Sequence, residues 1–416
     1  MHLAVTVILS LGAALFLWHV TIPNAYYVDF SKAYFVAGKF ILTNPAELYK
    51  GIQPEFVNIP IVAYLFSPLP LVGLERAVHL MVLASIIPVM VSCWWIIRSQ
   101  KLEGHTRLLV IFLFAVNGPL FYSIRLGNLT HFVLLLITIV MVLGDRKRFL
   151  AGTLAAICAI IKLPLMLFGL YFIARRRWAS AFGFWLTIFA IFSLSILVAG
   201  FDLHLKWYEE VIQRNSGQVM GAYNNQSVNG FLAHLIPGNN LYSWVEYSTG
   251  MRFKAAQLLI TGLIAGSAAW ILWRSGPPST TAGARLEYAI VLCVCILISP
   301  ISWIHYYSLL IVPLAFCFSR RNPVLHALPG TKEAWENRVL ILATTLITLP
   351  VVHTMPDSVV PNILFVEALF RRVLVSHYFY GGIILLGFFL YLRMKVSGFM
   401  QRDQINVSAK VSANIR

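Results

Sequence analysis

Charge is what this sequence has least of. Asp, Glu, Lys and Arg make up 12% of its 416 residues, against roughly 25% in ordinary globular domains. Acids are the scarcer sign, 16 Asp and Glu against 32 Lys and Arg. Cysteine is scarce too. Cys93, Cys158, Cys293, Cys295 and Cys317 all lie inside apolar runs. None has the spacing of a disulfide framework or a metal site, so they read as small buried apolar residues. A Walker A glycine loop, an HExxH helix and Cys/His metal spacing are missing. No cofactor or metal is therefore implied, and a nucleotide-activated substrate has no obvious dock.

What is present is apolar residue, 59% of the chain. A membrane span needs about 20 consecutive apolar residues, and runs of that length recur from end to end. The expected fold class is all-α, a polytopic membrane protein without a soluble domain. The net charge of +16 could suggest a nucleic-acid partner in a soluble chain. Here the bases fall in short clusters between apolar runs: Arg98/Lys101/Arg107, Arg146/Lys147/Arg148, Arg175/Arg176/Arg177, Arg274 with Arg285, Arg320/Arg321 and Arg393/Lys395. Cytoplasmic loops carry such an excess, so topology explains them without nucleic acid. A smaller share can serve an anionic lipid substrate.

With these clusters inside, the first run, about 3–22, crosses outward and is read as a retained span, since it lacks a basic start and a cleavage site. Residues 23–57 form an outer loop. NIPIVAYLFSPLPLVG, broken by Pro60, Pro68 and Pro70, reads as a partly inserted piece before a span at about 77–97. Further spans are expected at about 107–124, 128–144, 179–199, 254–273, 286–301, 303–318, 338–353 and 376–394. The run 151–174 has basic clusters on both sides, and two half-helices meeting at Lys162-Leu163-Pro164 keep both inside. This gives about ten full spans, one transmembrane domain over 1–396, both termini cytoplasmic, and a polar, unstructured tail over 397–416. The loop bearing Asp29, the Arg125–His131 turn, the 200–252 loop and the Trp303–His305 junction then gather on the outer face of the plasma membrane.

Several residues at that face can carry chemistry. In YYVDFSKAYFVAGK, Phe30, Tyr34, Ala37 and Ile41 share one helical face, and Asp29, Lys32, Val36 and Lys39 lie along another. Such a segment can rest in the membrane interface, apolar side down. Asp29 is either a helix N-cap or a general base held at the boundary. Arg125, Asn128 and His131 in SIRLGNLTH offer a cation and hydrogen-bond donors for an anionic headgroup; the alternative is snorkelling at the interface. Asn128-Leu129-Thr130 is also a glycosylation sequon, set aside because it abuts a span. Lys162 stands within about 24 otherwise uncharged residues. An ionisable residue at membrane depth is a functional candidate by default, here as a fixed positive charge for a lipid phosphate. Asn224, Asn225, Gln226 and Ser227 form a polar knot whose amides suit sugar hydroxyls; a solvated loop is the alternative. Ser299, Trp303 and His305 stand at a span junction.

Read together, YYVDFSKAY with ELY at 47–49, IPIVAYLFSPLPLVG, IRLGNLTHFVLLL, AGTLAAICAIIKLPLMLFGLYFIARRRW, NNQSVNGFL and SPISWIHYYSLLIVP resemble glycosyltransferase family 87, membrane enzymes of the C type that use polyprenyl-phosphate sugars. The resemblance implies an inverting, metal-independent transfer with a catalytic Asp in the first outer loop, here Asp29. It implies donor-phosphate contacts at Lys162, Arg125 and His305. From their own chemistry and position, Asn128, Asn225, Gln226 and Trp303 are expected as substrate contacts. The partners would be a polyprenyl-phosphate sugar, most simply mannose, and a lipid or glycan acceptor among the membrane lipids. Two departures are visible: Phe30 and Ser31 follow a lone Asp where related enzymes often pair two acids, and Tyr306 stands where a second histidine often follows. Two other classes remain. A lipid-linked sugar flippase predicts matching helix breaks in two halves, and the sequence has no such symmetry. A polysaccharide ligase would rely on His204, Arg214 and His234 of the 200–252 loop.

Overall fold

The structure is a computed structural model describing residues 27–50, 56–144, 146–236, 238–318, 334–350 and 373–414. The expected span at 3–22 and the Arg320/Arg321 cluster lie outside the described residues. Among these residues the fold is almost wholly helical. The regular strand pairing is one short antiparallel ladder, Val219–Met220 with Glu246–Tyr247.

Among the described residues five helices are long and apolar enough to cross a membrane: Leu74–Ser99, Trp178–Ala199, Met251–Arg274, Thr281–Ile298 and His377–Ser397. A sixth crossing arises if Gly104–Ala115 and Gly118–Leu126, bent by 45°, count as one. Among the described residues the expected full spans therefore appear as fewer long helices and several short apolar ones. Thr130–Leu143, Arg148–Ile161, Leu163–Ala174 and Ile304–Cys317 are each under span length. Hydropathy counts apolar residues and does not register where the backbone breaks. Asn117 breaks the expected 107–124 span by turning its side chain onto the amide of Leu120, 2.9 Å away. The expected 303–318 span begins as a 3-10 turn, Ile304–Leu310, before Ile311–Cys317.

The expected breaks at 60–73 and 162–164 are present. Pro60–Phe66 and the 3-10 turn Leu69–Val72 precede Leu74–Ser99. Arg148–Ile161 ends at Lys162, whose extended backbone leads into the 3-10 turn Leu163–Met166 and the helix Leu167–Ala174. Residues 397–414, expected as an unstructured tail, continue the helix that begins at His377.

Thr281–Ile298 is the inner helix, 78% buried along its apolar window, against 17–28% for Leu74–Ser99, Trp178–Ala199 and Met251–Arg274. The outer three present Leu83, Leu197, Leu263 and Trp270 outward, as lipid-facing helices do. Arg148–Ile161 and Trp178–Ala199 approach at a small-residue contact. A Cβ on Gly152 would meet the Ser180 carbonyl, and one on Gly183 would meet that of Phe149. Small residues of this kind let membrane helices close on each other.

Three of the basic clusters meet at one end of the bundle. Glu287, fully buried, accepts from Arg175 Nε at 2.8 Å, Arg393 Nε at 2.9 Å and Tyr171 Oη at 2.9 Å. Arg285 donates to the Met141 carbonyl, 2.8 Å. The far end of this helix, at Ile298, lies about 17 Å from Glu287 at 1.5 Å per residue. There Ser299–Trp303, Lys162 and the Arg125–His131 turn come together.

Candidate functional site

The segment bearing Asp29 is a π-helical turn, Asp29–Tyr34, running into the helix Phe35–Thr43. Single π turns inside helices often mark functional sites. Phe30, Tyr34, Ala37 and Ile41 share one face, as the sequence predicts, and all four are buried. That face packs against protein, not lipid. Tyr34 stacks on Phe66 with centroids 4.9 Å apart, and Phe30 meets Phe66 edge-on at 6.4 Å.

The turn after Gly118–Leu126 receives this segment. Gly127 caps that helix at φ +68°, a left-handed geometry that favours glycine. The amide of Tyr27 donates to the Arg125 carbonyl, 2.6 Å. Asp29 is thereby set over Asn128.

Asp29 is half-buried, with its carboxylate turned inward. It makes no cap bond to its own helix. Its Oδ2 accepts from Asn128 Nδ2 at 2.9 Å. Asn128 Oδ1 accepts from Lys162 Nζ at 3.1 Å, from the Thr130 amide at 3.0 Å and from Thr130 Oγ1 at 2.7 Å. Lys162 is 6% exposed, so it does not snorkel; its ammonium lies 4.7 Å from the centroid of the Tyr306 ring. Burial pushes the Asp29 carboxyl above the ordinary carboxylate range, and the Asn128 hydrogen bond and the Lys162 charge pull it partway back.

Behind this row lie two imidazoles. His131 is fully buried, with Nδ1 3.0 Å from Ser123 Oγ and Nε2 without a partner among the described residues. His305 stacks on Tyr122 at 6.2 Å, and neither of its ring nitrogens has a partner among the described residues. Lys162 and His131 both act electrostatically on His305. Arg125, fully buried, sits in the same turn as Asn128 and is not an interfacial anchor. Buried polar atoms are nearly always satisfied, so the open imidazole nitrogens suit a ligand that accepts hydrogen bonds.

The polar knot has a different task. Asn224, Asn225, Gln226 and Ser227 are buried, not solvated. Asn225 Nδ2 donates to the Met220 carbonyl at 2.9 Å, and its Oδ1 accepts from the Ser302 amide at 3.0 Å. Gln226 Nε2 donates to the carbonyls of Tyr223 and Val375, each at 2.8 Å. These amides, expected to meet sugar hydroxyls, hold the loop to the Ser299–Trp303 junction and to the last helix. Trp303 bridges to Asn225 through backbone and is partly exposed. The ligase candidates are also engaged within the protein. His204 meets Ser195 Oγ and His234 meets Ser376 Oγ, each at 2.8 Å, while Arg214 pairs with Glu246 at 3.0 Å.

Sequence reasoning missed Thr130, Tyr122 and Tyr306 as parts of this site. The signal for Thr130 was there. In Asn-x-Ser/Thr, the Asn oxygen can accept from the amide and hydroxyl two residues on.

These features describe an all-α, multi-pass membrane protein with a carboxylate, an amide and an ammonium in a row beside two buried imidazoles. The chain belongs to glycosyltransferase family 87, whose family model matches residues 56–300. It is a glycosyltransferase. Asp29, Trp303 and His305 fall outside the matched stretch. The chain is 26% identical, over 313 residues, to a polyprenol-phosphate-mannose-dependent alpha-(1-2)-phosphatidylinositol pentamannoside mannosyltransferase of Mycolicibacterium smegmatis (strain ATCC 700084 / mc(2)155), covering 71% of this chain and 70% of the relative.

Proposed function

We propose that this glycosyltransferase moves a sugar, mannose, from a polyprenyl-phosphate donor to a membrane-associated acceptor on the outer face of the membrane, inverting the anomeric centre. The observation that carries the reading is the row Asp29–Asn128–Lys162, which presents a base and a cation on the two sides of one amide. The donor's chemistry is supported by the relative's dependence on polyprenol-phosphate mannose. The outer face is supported by the convergence of the 175–177, 285 and 393 bases at the opposite end, since bases favour the cytoplasmic side.

In this mechanism Asp29 takes the proton of an acceptor hydroxyl. The freed oxygen pair forms a bond to the anomeric carbon from the face opposite the phosphate. The carbon–oxygen bond to phosphate breaks, and its electron pair leaves on the polyprenyl phosphate. Lys162, His305 and Arg125 stabilise that growing charge, often the largest catalytic contribution. Trp303 lines the sugar.

The test uses the protein in lipid nanodiscs with radiolabelled polyprenyl-phosphate mannose and a mixed glycolipid extract of the host. Wild type is expected to label a new glycolipid, and Asp29→Asn to insert normally but transfer nothing. Normal transfer by Asp29→Asn removes Asp29 as the base. If no polyprenyl-phosphate sugar donates label and labelled lipid instead changes leaflet, the enzyme reading falls to the flippase.

A further inference from the structure

We propose that Asn128 is a positioning residue that keeps Asp29 and Lys162 from pairing, so that the carboxylate stays open to the acceptor and the ammonium to the donor phosphate. This rests on the reading above and reassigns Asn128, which as a lone sequence feature suggested a substrate contact.

The hydrogen bonds determine how the amide sits. Three donors converge on Asn128 Oδ1: Lys162 Nζ, the Thr130 amide and Thr130 Oγ1. A flipped amide would turn its NH2 group onto those three donors and its oxygen onto a carboxylate. The observed orientation therefore leaves Nδ2 for Asp29 Oδ2. That single bond is the hydrogen bond Asp29 makes through its side chain among the described residues, and Oδ1 remains for a proton.

Asp29 and Lys162 form no ion pair among the described residues. Each touches a different end of one small amide. A lysine has four flexible carbons, and without the amide it can swing onto the carboxylate. An opposite charge in direct contact lowers a carboxyl group's proton affinity by about 1–3 pH units. The pairing would weaken the base and withdraw the cation together.

Other groups facing Asp29 do not substitute for this control. Tyr34 on its own segment, Tyr122 and Tyr306 from the facing elements all act on or feel its charge. Phenols are neutral at working pH. Lys32 is exposed, and Arg125 lies in the same turn as Asn128. Lys162 is the cation one amide away from the carboxylate.

Thr130 is the second half of the device. Its hydroxyl holds Asn128 Oδ1 and does not touch Asp29. Serine there keeps the hydroxyl; valine keeps the shape and loses it.

The experiment compares kcat and donor KM against pH for wild type, Asn128→Ala, Thr130→Val and Thr130→Ser in nanodiscs, with labelled polyprenyl-phosphate mannose. For Asn128→Ala, kcat at neutral pH should fall about tenfold or more, donor KM should rise, and the acid limb of kcat should move to lower pH by about one unit. Thr130→Val should shift the limb in the same direction by less, and Thr130→Ser should match wild type. A rise in KM with the acid limb unmoved in both Asn128→Ala and Thr130→Val overturns the inference and makes Asn128 a substrate contact. Should Asn128→Ala fail to insert, the Val and Ser variants of Thr130 decide the matter by the same limb. Asp29→Asn in the same assay separates the two layers. If it transfers normally, the function reading fails; if it is dead while the limbs do not move, only the role of Asn128 fails.

Discussion

Gly127 lies so close to the Asp29 segment that a Cβ on it would stand 2.6 Å from Phe30 Cβ and 2.8 Å from Tyr27 Cδ1. The contact seats the catalytic candidate. Phe30 Cβ cannot rotate away, because it is bound directly to the backbone. The glycine is also at φ +68°, where a side chain costs about 1–2 kcal/mol. Gly127→Ala should therefore push residues 27–30 off the turn. We expect transfer to fall tenfold or more, with a melting temperature a few degrees lower. Unchanged turnover in a folded Gly127→Ala protein would mean that Asp29 does not need this seat.

The environment of Asp29 predicts a pH dependence with a definite sign. Burial raises its folded carboxyl above the ordinary value. A base works only when deprotonated, so kcat should fall on acidification at a pH above the ordinary carboxylate range. Stability runs the other way. Between the unfolded and the raised folded value the native state holds more protons, so stability falls as pH rises through that window. Above it, the buried charge is a standing cost. Asp29→Asn, which keeps a side-chain acceptor for Asn128, should therefore be inactive yet melt at a temperature equal to or above wild type near neutral pH. Thermal melts of both proteins across pH check this; a less stable Asn variant at neutral pH rejects it.

How much of this was legible in the sequence depends on which residues are asked. Lys162 was legible, because a charge in an apolar run next to Pro164 has few bland explanations, and the chain does break there. Asp29 stood out because acids are rare. The buried face Phe30/Tyr34/Ala37/Ile41 was legible as a helical period, but its partner was not: period alone cannot distinguish a lipid surface from Phe66 and Phe56. The broken crossings at Asn117 and at Ile304–Leu310 were hidden for a related reason, since hydropathy sums composition and registers neither the polar side chain that breaks the first nor the change to a 3-10 turn in the second. The partners of Asn225 and Gln226 were not legible, because whether an amide meets backbone depends on contacts far along the chain, such as Val375.

Lys162 offers a cleaner test of donor handling than the imidazoles. Its ammonium is held by an amide oxygen and an aromatic face, not by an acid. Lys162→Ala thus leaves no carboxylate stripped of a direct ion-pair partner, and insertion and folding should survive. The loss should fall on the donor: KM for polyprenyl-phosphate mannose rising tenfold or more, about 1.4 kcal/mol, with acceptor KM little changed. Equal effects on both substrates would mean that Lys162 shapes the cavity and does not contact phosphate.

Glu287 provides the opposite case, a buried acid whose loss should harm the fold and spare the chemistry. It is fully enclosed and receives Arg175, Arg393 and Tyr171 at the end of the bundle away from Lys162. Together these join the inner helix Thr281–Ile298 to Leu167–Ala174, where Arg175 follows directly, and to the last helix. Glu287→Gln keeps the shape and removes the charge, leaving two buried guanidinium groups without a counterion. Breaking a buried pair from one side costs about 3–5 kcal/mol. Denaturation of the Gln variant in detergent should show a loss of that order, while turnover per folded molecule stays near wild type because Asp29, Asn128 and Lys162 sit at the other end. A loss of turnover without a loss of stability would mean instead that the two ends are coupled through the inner helix.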